Sequence, residues 1–379
     1  MIDGYNFDDI RSYDDTEVNQ ILRSLVRDDS FQHIMQFAFQ DQKDIVKAKE
    51  VLENIHTVRD LQFDFMFPLV QELIVNRTTD GQTYSGLENL DKSTSYLFIS
   101  NHRDIVLDPV LMNYLIVVEG MNPTEIAIGS NLLIRNWIEQ TMKLNRSFVV
   151  QRNLPVREML QASKKLSAYI RYNITVKNTS VWIAQREGRT KDGNDKTQLA
   201  LLKMLKLSNT GDFAAGFKEL KIVPLSISYE WEPCGLSKVA ELYKRQSDGY
   251  EKTQEDDLKS MEEGLLRSNG RVHFGFGTPI DTEIEFSATK GASNAQVEEL
   301  ARQIDRQIYA NYKLWPNNFI AYDMLNHSDS NKCQYTPTLK EQFLALLNDT
   351  LVKVPGDKQV IRNMFLHMYA NPVINKTGL

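Results

Sequence analysis

In the stretch SNHRDIVLDP, residues 100–109, His102 follows the apolar run Tyr96–Ile99 and precedes two carboxylates, Asp104 and Asp108. An imidazole titrates near neutral pH, and a neighbouring carboxylate fixes its tautomer and steadies the imidazolium formed when it takes a proton. A pair of this kind at a strand end suits deprotonation of a hydroxyl group. The same residues also suit a loop histidine that caps a turn, because such spacings recur by chance. From spacing alone, either Asp104 or Asp108 can be the partner.

A second group of residues is suited to an anion. Arg135, Arg146, Arg152 and Arg157 fall close together, and Arg186, Arg189 and Lys191 follow in QREGRTKDG. Guanidinium groups form paired hydrogen bonds to phosphate or carboxylate oxygens. Arg152 and Arg189 are favoured because each closely follows an expected strand, whereas Arg135 and Arg157 fall on expected exposed helix faces. Glu187 lies between Arg186 and Arg189, where a carboxylate can orient guanidiniums or accept from a substrate hydroxyl; a surface ion-pair cluster is the plainer alternative. Gly188 lets the backbone approach a ligand.

These residues must be positioned by the elements around them. From Ser95 onward, short apolar runs at 96–99, 125–128, 147–151, 180–184 and 222–228 alternate with helical patterns at 106–118, 131–143, 156–173 and 197–207. Alternation of this kind predicts an α/β fold with a mostly parallel or mixed sheet flanked by helices, whose sites lie at the carboxyl ends of the strands. His102, Arg152 and the segment 185–191 each fall just past such an end. Residues 15–76 read as an N-terminal helical bundle, with Val18, Ile21, Leu22, Leu25 and Val26 on one stripe and Ile45, Ala48, Leu52 and Ile55 on another. Residues 76–94 read as a linker, 271–276 as a further strand, and Ser293 with Gln296 as a capping box for a helix with Val297, Leu300, Ala301, Ile304 and Ile308 on its core face. Helices around 338–352 and 357–370 complete the pattern. The expected organisation is a helical region over 1–85, an α/β domain over 86–285, and a C-terminal helical region over 286–379 packed on the α/β domain.

Composition narrows the function classes. The chain has 379 residues, of which 42% are hydrophobic and 25% charged, as in an ordinary globular protein, and its net charge of −6 argues against bulk attraction to nucleic acid. The start MIDGYNFDDIRSYDD lacks a basic, apolar export signal, and the apolar stretch 109–121 is too short to span a bilayer. Cys234 and Cys333 have neither zinc-ligand spacing nor a disulfide framework, so a cytoplasmic setting without metal or cofactor is expected.

Taken together, SNHRDIVLDP, IGSNLLIRNWIEQTMKLNRSFVVQRN, VWIAQREGRTKDG and LKIVPLSISYE resemble, in this order, the glycerol-3-phosphate and 1-acylglycerol-3-phosphate (lysophosphatidate) acyltransferase family over about residues 90–280. By position, the resemblance implies a catalytic pair of His102 and Asp108, substrate binding by Arg152, Glu187, Gly188 and Arg189, and Pro224 in the strand of the fourth block. It implies O-acyl transfer from acyl-CoA or acyl-carrier protein to glycerol 3-phosphate, a lysophosphatidate or a related lipid, with peripheral contact on the inner face of a membrane. Five residues separate His102 from Asp108 where the family has four, so Asp104 stays a competing partner, and Arg189 follows Glu187-Gly188 directly where the family has one more residue. Acyl thioester hydrolysis and non-catalytic binding of acyl chains or carrier protein are the alternatives; an intact base disfavours pure binding. HRDIVLD is also similar to the protein-kinase catalytic loop, but Pro109 stands where that loop has asparagine, no glycine-rich phosphate loop precedes His102, and Ala214 replaces the glycine of the downstream kinase motif.

Overall fold

The computed structural model describes residues 4–39, 41–209, 211–246, 250, 253–281 and 293–379. Its centre is a sheet of seven strands: β1 (Gln82–Ser85), β2 (Leu97–Ser100), β3 (Glu125–Gly129), β4 (Ser147–Val150), β5 (Val181–Ala184), β6 (Ile222–Tyr229) and β7 (Val272–Phe276). They lie in the order β1-β7-β6-β2-β5-β3-β4. The five from β6 to β4 are parallel, and β7 runs antiparallel to β6 with β1 parallel to β7, so the sheet is mixed. Every residue of β2 and β6 is buried, which is why their sequences, LFIS and IVPLSISY, are nearly continuous apolar runs rather than alternating ones.

Pro224 sits in this central strand at a position that tolerates it. A proline there removes a ladder donor. The β6–β7 pairing covers 225–229 only, and at Pro224 the ladder needs just its carbonyl, which accepts from the Gly277 amide at 2.8 Å.

Helices cover both faces. Here α1 is Asp15–Arg27, α2 Asp29–Ala38, α3 Gln42–Asn54, α4 a mixed α and π run over 58–78, α5 Leu107–Val118, α6 Asn136–Leu144, α7 Val156–Thr175 and α8 Leu199–Lys206. Then follow α9 (Phe213–Lys218), α10 (Gly235–Lys244), α11 (Gln254–Leu266), α12 (Ser293–Asn311), α13 (Pro316–Asn326), α14 (Pro337–Lys353) and α15 (Lys358–Thr377). One face packs Ile99, Phe148 and Ile183 against Tyr169 and Ile170 of α7 and Leu300 and Ile304 of α12; the other packs Phe98 and Trp182 against Leu111 and Leu115 of α5.

The expected stripes of α1 and α3 pack together with Leu61 and Leu144 in a bundle core, and Val297, Leu300, Ala301, Ile304 and Ile308 of α12 are all buried. At the C-terminal end, Ile320 of α13, Phe343 and Leu347 of α14, and Phe365 and Tyr369 of α15 form a further core with Val239 of α10.

Residues 76–94 are not a linker. They carry the end of α4, strand β1 and a short 3-10 turn at Leu87–Asn89. β1, QTYS, is a half-exposed edge strand without an apolar run, so nothing in its pattern announces pairing. It joins the sheet ahead of the boundary expected after residue 85. The boundary expected at 285 and 286, and the cap expected at the Ser293 side chain, lie outside the described residues.

Candidate active site

Four hydrogen bonds build the corner that holds His102. The chain leaves β2 at Asn101, whose side chain imitates a strand: its Nδ2 donates to the Ile227 carbonyl at 2.9 Å and its Oδ1 accepts from the Ile227 amide at 2.7 Å. With β6 bonded to a side chain at this point, the backbone is released to turn, and the Thr190 amide donates to the His102 carbonyl at 2.8 Å to fix the turn. His102 Nδ1 then meets Asp108 Oδ2 at 2.8 Å. With Nδ1–H donated to that carboxylate, the Nε2 lone pair is the basic site, and the half-buried imidazole lines the central cavity. The Trp182 ring packs edge-on against the imidazole at 5.7 Å, and its indole N–H donates to Ser100 Oγ.

Asp108 and Asp104 do different things, for a local reason. Asp104 Oδ1 accepts from the amides of Val106 and Leu107, both at 2.8 Å, and so caps the start of α5, while its Oδ2 accepts from the Cys234 thiol. Asp108 lies in the first turn of α5, where the helix amino end favours a negative charge. The extra residue between His102 and Asp108 is absorbed by the turn that Asp104 caps. Burial pushes the Asp108 carboxyl up, but the hydrogen bond from His102 and the backbone amides of Asp104 and Arg103 outweigh it and hold the pKa below the usual carboxylate value.

Behind this corner is a buried ionic cluster. Arg103 is fully buried and is bonded to Asp195 and, at 3.4 Å, to Glu232, which also pairs with Lys238. Burial opposes the Arg103 charge, yet the carboxylates of Asp195 and Glu232 raise its pKa well above the ordinary value. The Glu232 amide donates to the Tyr369 hydroxyl of α15 at 3.0 Å, which ties the cluster to the C-terminal helices. Sequence reading did not single out Asn101, Asp195, Glu232 or Tyr229. The one available signal was Arg103 itself, a charge set directly after an apolar strand.

The arginines divide. Arg152, just past β4, is partly exposed on the cavity wall and pairs with Glu187 Oε1 at 2.9 Å. Glu187 is two-thirds exposed, and Gly188 follows it in the left-handed region at φ 69°. Arg189 is 5% exposed and also touches the cavity, but its guanidinium is bonded to the Ser260 hydroxyl and lies 3.8 Å from Asp257, both on α11. Lys191 pairs with Glu241 of α10 at 3.0 Å. Arg135 and Arg157 are exposed, and Arg146 lies at the other end of β4, at the amino end of the strand.

The cavity has a volume of about 1600 Å³. His102, Arg152, Arg186, Glu187 and Gly188 line one part of it, and Met66, Phe67 and Val70 of α4, Val110 of α5, and Ile138 and Met142 of α6 line another. The His102 imidazole therefore faces a space with one cationic wall and one apolar wall. Among the described residues, no helix is long and apolar enough to cross a membrane.

Comparison with known proteins gives a match over part of the chain. Residues 82–228, from β1 to the penultimate residue of β6, match the family model Acyltransferase. No curated protein matches the chain. Among solved structures, the 1-acyl-sn-glycerophosphate (LPA) acyltransferase PlsC from Thermotoga maritima aligns with 76% of this chain and 93% of its own, at 13% identity and a TM-score of 0.34. The signal recognition particle 54 kDa protein from Aeropyrum pernix K1, in complex with GDP, aligns with 95% of this chain and 99% of its own, at 11% identity and a TM-score of 0.20. At these scores neither structural likeness carries an argument.

Proposed function

From the match of residues 82–228 to the family model Acyltransferase, we propose that this chain is an O-acyltransferase of lipid synthesis in which His102, oriented by Asp108, is the general base. The observation that carries this reading is the 2.8 Å contact between His102 Nδ1 and Asp108 at the wall of the 1600 Å³ cavity. Nε2 takes the proton of the acceptor hydroxyl as its oxygen attacks the thioester carbonyl of acyl-CoA or acyl-carrier protein. The tetrahedral intermediate collapses to the ester, and the departing thiolate recovers that proton from the imidazolium. Asp108 stays ionised throughout and stabilises the imidazolium. No covalent enzyme intermediate is needed.

An acceptor with an anionic group, such as glycerol 3-phosphate or a lysophosphatidate, is held by Arg152 beside the Gly188 turn. Holding it there converts a bimolecular encounter into a positioned attack. Arg189 has a supporting part, because its bonds to Ser260 and Asp257 anchor that turn to α11. The apolar wall takes the acyl chain. Val156 is 90% exposed and Leu160 48%, on either side of Arg157 and next to Met159, which lines the cavity; an apolar and basic edge of this kind fits peripheral contact with an anionic membrane. The same base could activate water, but the arginine wall favours an anionic acceptor.

The test is an acyl-transfer assay that crosses labelled acyl-CoA and acyl-carrier protein with a panel of phosphorylated and neutral hydroxyl acceptors. Wild type is expected to transfer and His102→Ala to be inactive. Retained transfer in His102→Ala would remove the assignment, and release of free fatty acid without any ester product would favour hydrolysis.

A further inference from the structure

Both oxygens of Asp108 are held, and each by a different part of the fold. Oδ2 accepts from His102 Nδ1 at 2.8 Å and from the amides of Arg103 and Asp104 at 2.6 and 3.0 Å. Oδ1 accepts from the Tyr229 hydroxyl at 2.8 Å. Asp108 is fully buried, so its oxygens depend on these protein donors. Tyr229 is the last residue of β6, the strand beside β2, and is itself 1% exposed, packed in the core with Phe98, Leu107 and Phe274. Its hydroxyl has little freedom to point elsewhere. Burial, then the charges of Asp108 and Asp104, push the phenol well above its ordinary range, so it remains a donor.

We propose that Tyr229 is a positioning residue that sets the basicity of His102 by acting on the far oxygen of Asp108. The inference deepens the general-base reading and rests on it. A hydrogen bond to Oδ1 draws charge from the carboxylate, so Oδ2 stabilises the imidazolium less and His102 gives up its proton more readily. The bond also fixes the carboxylate plane, and with it the direction in which Nε2 points. Several other charged groups surround the pair: Arg103 and Asp104 on the same loop, Asp195 and Glu232 around Arg103, Tyr312 after α12, and Arg152, Arg186, Glu187 and Arg189 on the cavity side. Tyr229→Phe alters none of them. It removes one oxygen and keeps the ring that fills the core.

The titration of His102 can be followed directly by nitrogen-15 NMR on histidine-labelled protein, with His102→Ala identifying its signals among the six histidines. Loss of one donor to a buried carboxylate should raise the His102 pKa by about one unit relative to wild type. A fluorotyrosine placed at position 229 alone is a stronger donor and should lower it. The acidic limb of the kcat/KM profile for acyl transfer should move in the same direction as each titration, with both KM values staying within about twofold. A purely structural Tyr229 would instead lower the melting temperature and reduce kcat at every pH without moving the titration. Unchanged titration in both variants, or movement of both in one direction, overturns the inference. Should Tyr229→Phe fail to fold, the fluorotyrosine protein decides alone. The titration needs no substrate, so absent acyl transfer would count against the functional reading only, and an unmoved titration beside intact transfer would count against this inference only.

Discussion

The two sides of the cavity are built to different standards. At the His102 corner, Asp108 is fully buried and takes four hydrogen bonds, from an imidazole, two amides and a phenol. At the arginine wall beside it, Arg152 is 30% exposed and Glu187 67%, joined by one ion pair at 2.9 Å. A pair that open to water is worth roughly 0–1 kcal/mol, whereas leaving a buried charge unpaired costs about 3–5 kcal/mol. The His102 corner is therefore preorganised, whereas Arg152 is held lightly enough for Glu187 to be displaced. Under the proposed reading, rigidity sits where a proton moves, and exchangeability where a ligand enters.

The largest test of that contrast is Asp108→Asn. It keeps the side-chain shape but removes the charge behind the imidazolium, and turnover should fall by about a thousandfold or more, as measured in the acyl-transfer assay. Asp104→Asn, by comparison, should lower the melting temperature more than turnover, since Asp104 caps α5; the reverse ranking would reassign the pair. The pH dependence of stability has a fixed sign. Asp108 has a folded pKa below its unfolded value, so its contribution is fully present above about pH 4 and is lost as pH falls through the folded value. Acid unfolding of Asp108→Asn should lack that component.

Next comes Arg103→Met, which takes the paired cation from buried Asp195 while Glu232 keeps Lys238. It should cost about 3–5 kcal/mol in denaturant unfolding; a loss below about 1 kcal/mol would show the cluster to be much less tightly coupled. On the open side, Arg152→Ala should raise KM for a phosphorylated acceptor by about ten- to a hundredfold and leave the donor KM unchanged, matching loss of one charge-assisted contact. Equal effects on both substrates would refute a dedicated anion role. Smallest is Glu187→Gln, which frees Arg152 and should lower the same KM by about twofold. That gain should shrink as salt is raised toward about 1 M, where screening is nearly complete over ~3 Å.

The strands around the site could be read because each is a buried apolar run ended by polar residues, and the carboxyl-end rule then gathered His102, Arg152 and Glu187 at one edge. Choosing between Asp104 and Asp108 required knowing where α5 begins: the residue that caps the helix cannot also face the imidazole. Arg189 looked like a ligand because it follows a strand, but its partners Ser260 and Asp257 lie on α11, whose polar sequence QEDDLKSMEEGLL has no clear apolar stripe. Tyr229, Asp195 and Glu232 join the site across more than 80 residues of chain, and no local pattern marks such contacts.

Arg103 finally bears on how far the matched segment can stand alone. Its socket is completed by Glu232, by the ring of Tyr312 at 5.5 Å and, through Glu232, by Lys238 and Tyr369, all of them beyond residue 228. This edge of the sheet is therefore not a portable cassette. A graft or excised fragment confined to 82–228 would keep Asp195 beside Arg103 but lose Glu232 and the Tyr312 ring, leaving the socket next to the histidine incomplete, and transplanting that corner intact requires carrying the last helices along.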